Sequence, residues 1–521
     1  MPPTFARAIA TVGGFTMLSR VLGFVRDVVQ AAVLGAGPES DAFLVAFKLP
    51  NFFRRLFGEG AFNAAFVPVF AGLLATEGHR RAVMFAEQAM AVLLAALIVF
   101  LGLAEAGMPY LTMAMAPGFI NDPERFNLTV DLARITFPYL LLVSLASLQS
   151  GVLNSLDRYA AAAATPILLN LCMIAAMLGL APILGKRGLD GVAEALAWGV
   201  VASGVAQFLW LAAACHRAKA PLRLPRPRLT PEVKKLLKLL LPGVLGAGIM
   251  HVNVMIDMMI ASLLPTGAVT HLYYADRIAQ LPLGVVGAAI ATALLPMLTR
   301  QIRQGETAAA EASQNRALEY GLMLTLPATA ALIALAEPIM IVLFARGAFS
   351  LEDAQGTALV LQAFAVGLPA FVLVKGLTPG FFAREDTRTP VRFAVVCLIA
   401  NLLFNLALMP WLGAAGVALA TSLSSWLNVA MLGVTLHRRK LLTLDARLRR
   451  RSPRLLLAAL VMAGAIFAAL PWLLPMLQPG QSLRYPIFAG LCTLGALLFF
   501  AVGHALGGVN LRDLKALRRK G

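Results

Sequence analysis

The sequence is short of charge, of histidine and of organised cysteine, and each shortage removes a class of function. Charged residues fill 13% of its 521 positions, against roughly 25% in a soluble domain. A globular protein of that composition has too little polar surface to face water. The six histidines are dispersed with no His-Glu-x-x-His, which excludes a zincin-type metal centre. Cys172, Cys215, Cys397 and Cys492 are scattered with no Cys-x-x-Cys, so neither a disulfide scaffold nor a metal cluster is expected. No Asp-x-Asp or Asp-Asp-x-x-Asp element occurs and the connections are short, which speaks against a membrane glycosyltransferase. The N-terminus has no signal-peptide pattern, so the first helix is expected to be retained.

What the chain has in abundance is apolar length. It is 59% hydrophobic, with a mean hydropathy of +0.79. A membrane span needs about 20 apolar residues, and the runs here are continuous rather than short alternations, which predicts helices and not a barrel. The pattern predicts spans at 6–34, 41–74, 85–110, 129–153, 160–184, 190–215, 233–263, 270–299, 317–344, 354–381, 391–411, 414–436, 455–476 and 485–506. The expected fold is therefore an all-α polytopic membrane protein with 14 transmembrane helices. The net charge is +18, but its distribution is that of a topology signal and a contact for anionic membrane lipids. About 30 Lys and Arg fall in the even-numbered connections and the C-terminus, and about 5 in the odd-numbered ones, which puts both termini in the cytoplasm. No nucleic-acid partner is expected.

The chain also carries an internal repeat. Ala46–Asn51 corresponds to Ala275–Gln280, so that Lys48 matches Arg277; Gly58 matches Gly287, Pro138 matches Pro369, and Gly191-Val192-Ala193 matches Gly416-Val417-Ala418. The repeat length equals six spans, an even number, so both copies run the same way and are related by a pseudo-two-fold axis along the membrane normal. The expected organisation is an N-terminal lobe at 1–216, a basic cytoplasmic linker at 217–232, a C-terminal lobe at 233–440, an extra helix pair at 455–506 and a basic tail at 507–521. Transporters use two such lobes to rock about a central site.

Charges inside the predicted spans are the main functional signal. Arg20, Arg26, Lys48, Arg54, Arg55, Arg277 and Lys375 lie at or near membrane depth, where each costs about 2.5–3.5 kcal/mol on insertion scales. Five of them fall in the first two spans. The acids beside them are Asp27, seven residues from Arg20; Glu59, at i,i+4 from Arg55; and Asp41, which opens span 2. Cations remain in excess. Asp276 adjoins Arg277, and Lys375 has no acid within a helical turn. An excess of arginine, whose planar fork suits phosphate oxygens, points to an anionic ligand such as a diphosphate. Pro50, with Gly13-Gly14 and Gly23, is expected to loosen spans 2 and 1, and Pro242-Gly243 to do the same in span 7.

These residues carry a resemblance. Ser19-Arg20-Val21-Leu22-Gly23-Phe24-Val25-Arg26-Asp27, Asp41-Ala42-Phe43, Phe47-Lys48-Leu49-Pro50-Asn51, Arg54-Arg55 and Glu59-Gly60-Ala61-Phe62 resemble the MurJ (MviN) family of lipid II flippases. Tyr273-Tyr274-Ala275-Asp276-Arg277 and Lys375 followed by Pro379-Gly380-Phe381-Phe382 extend the match over almost the whole chain. The resemblance implies the multidrug/oligosaccharidyl-lipid/polysaccharide exporter fold, a transporter and not an enzyme, acting as a monomer in the bacterial inner membrane. It implies lipid II as substrate: undecaprenyl diphosphate carrying the disaccharide-pentapeptide precursor of peptidoglycan. The rival readings are a flippase for another polyprenyl-linked glycan and a cation-coupled drug exporter of the same superfamily. In the lipid II reading Arg20, Arg26, Lys48, Arg54 and Arg277 bind substrate, while Asp27, Asp41, Arg55, Glu59, Asp276 and Lys375 orient charge or gate. Some family members hold a sodium ion at a set resembling Asp257, Asn401, Asn405, Val417 and Thr421, although an acid there stands where Asn405 is here. No other cofactor is expected.

Overall fold

The structure is a computed structural model that describes residues 3–54 and 61–509. Among the described residues it is helical throughout, and the one extended pairing is a bridge between Arg346 and Phe349. The helices are α1 (Pro3–Leu34), α2 (Pro38–Arg54), α3 (Ala61–Thr76), α4 (His79–Ala106), α5 (Met108–Met115), α6 (Pro123–Thr136), α7 (Tyr139–Ser155), α8 (Tyr159–Ala175), α9 (Ala181–Leu184), α10 (Leu189–Arg217), α11 (Pro231–Ser262), α12 (Ala268–Arg303), α13 (Thr307–Ala334), α14 (Ala336–Phe344), α15 (Leu351–Leu377), α16 (Pro379–Phe382), α17 (Arg388–Arg438), α18 (Ala446–Leu473) and α19 (Arg484–Ala505). Nine helical segments among the described residues are long and apolar enough to cross a membrane. Large apolar side chains stay exposed along them, for example Leu103 at 69% and Leu494 at 66%, as expected where lipid is the solvent. Tyr110, Trp411 and Trp472, all strongly exposed, sit near helix ends, the position of an interfacial aromatic belt.

Two breaks show how glycine shapes this fold. The 51-residue α17 is interrupted at Gly413, with φ 54° and ψ −131°. Only glycine adopts that conformation readily, and it falls in the gap between the spans predicted to end at 411 and begin at 414. Just beyond, a Cβ on Gly416 would lie 2.6 Å from the Leu408 carbonyl oxygen, so the two arms close tightly. The connection before α10 is built alike. Gly188 has φ +94°, and a Cβ on Gly191 would lie 2.1 Å from the Leu184 carbonyl oxygen. Pro50 does not end α2, which continues through it to Arg54.

The chain forms two compact units, Met1–Val269 and Thr270–Gly521. In the first, Phe62, Phe66, Phe70 and Phe85 stack on one another within a core that also takes Leu148, Val152, Val233 and Leu236. The α10–α11 connection hangs on α4: the Arg223 and Arg228 amides donate to Glu87 and Gln88. In the second unit, Leu318, Leu377, Phe381, Leu432, Leu436 and Leu448 form a core from α13, α15–α17 and α18, and Tyr274, fully buried, meets Phe344 and Phe349.

Candidate functional site

The cationic set of the first unit is carried by α1 and α2. Arg26 is 5% exposed on α1, and its Nε and Nη2 donate to Asp27 Oδ1 at 3.1 and 2.6 Å. Its Nη1 approaches Met173 Sδ on α8 at 3.9 Å. Asp27 is thus the partner of Arg26 and not of Arg20. Seven residues along a helix are roughly 10 Å apart, beyond contact, whereas the long Arg26 side chain folds back onto its neighbour. Arg20 lies exposed on the same helix and makes no ion pair among the described residues. Packing of α1 on α8 is set by Asn170, whose Nδ2 donates to the Ser19 carbonyl and whose amide fits over Gly23.

On α2, Lys48 and Arg54 are half-buried. Arg54 is steered from its own helix: its Nε donates to Asn51 Oδ1 at 3.1 Å, and Asn51 Nδ2 donates to the Phe47 carbonyl at 2.7 Å. Arg54 lines a cavity of about 560 Å³ inside the first unit. Arg55 and Glu59 lie outside the described residues.

Asp41, at the start of α2, has an ion pair of its own. It is fully buried, accepts from Arg125 Nη2 at 2.6 Å and from the Gly267 amide at 2.7 Å. Arg125, which the sequence places in a connection, is 5% exposed and stacks 3.6 Å over the Phe119 ring. Nearby the Gly118 amide donates to Ser262 Oγ, and no Cβ would fit on Gly118, since it would lie 2.1 Å from the Ser262 carbonyl oxygen. Asp41, Arg125 and Ser262 therefore tie the ends of α2, α6 and α11 together. The signal in the sequence was Asp122, which caps α6 by accepting from the Arg125 amide and so places Arg125 in the first turn of a helix and not in a loop.

In the second unit Arg277 donates to the Tyr273 hydroxyl at 3.1 Å and stacks over its ring at 4.9 Å. Its sequence neighbour Asp276 is instead bound by Gln280. Lys375 is half-buried on α15 with its Nζ against Gly287, where a Cβ would lie 2.8 Å away. It has no ion-pair partner among the described residues. Of the sodium set, Asp257 is half-buried on α11, while Asn401, Asn405 and Val417 are buried on α17. The Val417 carbonyl accepts from the Thr421 hydroxyl at 3.2 Å. All are neutral oxygens apart from Asp257, a donor type suited to a hard monovalent cation. No cluster of three or more His, Cys, Asp or Glu occurs among the described residues.

One acid escaped the sequence reading. Glu319, 2% exposed inside α13, is paired with Arg316 and accepts from Arg447 at 3.1 Å and Arg451 at 2.6 Å. Asp445 caps α18 through the Leu448 amide and also holds Arg316. The cluster fastens the start of α18 to α13. Only the Arg316–Glu319 pair, three residues apart, could be read from the sequence.

Comparison with known proteins agrees with this picture. A family model described as lipid II flippase MurJ matches residues 30–485. A probable lipid II flippase MurJ of Rhizobium meliloti is 44% identical over 523 residues, covering 99% of this chain and 97% of the relative. The lipid II flippase MurJ of Burkholderia cenocepacia is 34% identical, covering 96% and 97%. Among solved structures, a lipid II flippase MurJ in an inward closed conformation superposes with a TM-score of 0.77 at 23% identity, covering 96% and 99%. An inward-facing multidrug transporter of the MATE family does so at 0.62 and 17%, covering 83% and 98%, so the fold is shared with drug exporters. On these matches, the chain belongs to the lipid II flippase MurJ family.

Proposed function

We propose that this chain is a transporter that moves lipid II from the inner to the outer leaflet of the bacterial inner membrane by alternating access, with no covalent bond changed. The carrying observation is family membership joined to the cationic set of α1 and α2: Arg20, Arg26, Lys48 and Arg54, with Asp41 committed to Arg125. Arginine forks bind phosphate oxygens bidentately, so these side chains, with Arg277 from the repeat position of Lys48, bind the diphosphate. Tyr273 holds Arg277 in place, Asn51 holds Arg54, and Asp27 holds Arg26. Arg55, Glu59, Asp276 and Lys375 orient charge around them. Neutralising the cations by the diphosphate lets the protein close toward the cytoplasm and open on the other side.

The reading includes 14 spans in two six-helix lobes related by a parallel repeat, an added helix pair, both termini in the cytoplasm and a monomeric working state with anionic lipids around it. The matching turns at Gly188–Gly191 and Gly413–Gly416, 225 residues apart, support the repeat. A sodium ion held by Asp257, Asn401, Asn405, Val417 and Thr421 belongs to the same proposal, with those oxygens as its ligands.

The test is transport. Cells depleted of the protein should accumulate labelled lipid II in the inner leaflet, and Arg277→Ala should fail to restore transfer. Normal appearance of labelled lipid II at the outer leaflet of depleted cells would end the reading; full transfer by Arg277→Ala would remove that residue from it.

A further inference from the structure

The cavity beside Arg54 has a chemistry that diphosphate binding leaves unused. At about 560 Å³ it is the size of a small-molecule site, and all of its wall belongs to the first unit. Among the described residues Arg54 is the one group on that wall charged at neutral pH. The remaining polar lining is neutral: Asn63, Ser147, Ser150, Asn154 and Gln207 contribute to it. Ser147, Ser150 and Asn154 are spaced three and four apart on α7, so they form one stripe. Polar groups at membrane depth are costly and mark sites of function.

Gln207 supplies the second observation. It projects from α10, is 5% exposed, and lines the cavity, yet its Nε2 has no hydrogen-bond partner among the described residues. Leaving a buried donor unmet is expensive, so the native protein is expected to meet it with something that enters the cavity. A matching ligand is uncharged, carries hydroxyl and amide groups, and is joined to an anion that reaches Arg54.

We infer that this cavity is the subsite for the N-acetylated sugar part of the lipid-linked headgroup, with Gln207 donating to a sugar oxygen and the α7 stripe meeting its hydroxyls. The inference rests on the flippase reading and deepens it: Arg54 would then mark the junction between diphosphate and glycan. It also gives the transporter a means of rejecting a bare polyprenyl diphosphate, because that ligand leaves the polar wall unmatched.

Native mass spectrometry of the full-length protein in lipid nanodiscs tests it. The probes are lipid II, its disaccharide form without the peptide, and undecaprenyl diphosphate. Gln207→Leu removes the amide at similar volume, and Ala163→Phe, on the α8 side of the same cavity, fills the space. Each should weaken both glycan-bearing lipids by roughly tenfold, Gln207→Leu through the loss of one or two hydrogen bonds and Ala163→Phe by occupying the space, with undecaprenyl diphosphate unchanged. The two variants act by different means, so a folding failure in one leaves the other to decide. Equal weakening of all three lipids, or no weakening of the glycan-bearing pair, overturns the subsite. Weakening of intact lipid II alone would assign the cavity to the peptide and overturn it too. If the unaltered protein binds the three lipids equally, the flippase reading stands and the sugar subsite falls; if it binds none, the flippase reading falls first.

Discussion

Asp41 and Arg125 lie 84 residues apart in the chain and share a buried contact. Such a pair adds little net stability over an apolar substitute, but losing one partner strands a buried charge at a cost of about 3–5 kcal/mol. Arg125→Ala should therefore lower the unfolding free energy by about that amount. The double substitution Asp41→Leu with Arg125→Met should cost much less than the two single changes summed. Thermal unfolding in detergent of the unaltered protein, Asp41→Leu, Arg125→Met and the double variant closes the cycle; additive effects would show that the contact carries no coupling. The same contact shows what charge counting misses. Arg125 reads as a loop cation and Asp41 as a balance for the arginines of α1 and α2, because sequence gives the inventory of charges and not their distances. Asp27 illustrates the converse, a partner assigned two turns away that lies at the next residue.

At the scale of elements, the α17 hairpin depends on backbone that only glycine provides. Gly413→Ala forces a side chain into a sparsely allowed region, which costs about 1–3 kcal/mol, and Gly416→Ala drives a methyl into the Leu408 carbonyl. Both should lower the unfolding midpoint. Gly433→Ala, in the same helix with nothing within 4 Å, should leave it unchanged or raise it, since alanine is the better helix former by about 1 kcal/mol. A drop of equal size at all three positions would mean that α17 is sensitive to any substitution and not to its turn. The hairpin was legible in advance, because lipid requires long apolar runs and the gap at 412–413 interrupts one. The anchoring of α18 on α13 through Glu319 was not, since an acid and its arginines about 130 residues apart leave no periodic trace.

For the whole molecule, the uneven placement of Lys and Arg is the strongest global statement the sequence makes. It assigns Arg187 to the outer side and Arg223 to the cytoplasm. Single cysteines at these positions, in a background without the four native ones, should react differently in intact cells with a membrane-impermeant thiol reagent: Arg187→Cys labels, and Arg223→Cys labels only after lysis. The opposite pattern would invert the topology and with it the direction of transfer. The sequence offers the repeat only as an order of weak matches; the structure adds two alike turns, each a positive-φ glycine followed three residues later by a glycine in close approach to a carbonyl. The cavity beside Arg54 was hidden, because its polar wall is assembled from α2, α3, α7, α8 and α10, each contributing only a few side chains to it.

Arg26 and Asp27 are consecutive residues of one helix. Rigid tilt, rotation or sliding of α1 against its neighbours leaves their backbone spacing unchanged, so only a change of side-chain rotamer parts them. Asp41 and Arg125 sit on different helices and have no such guarantee. A spectroscopic label beside the second pair would therefore respond to relative motion of α2 and α6, which the first pair, within one helix, does not span.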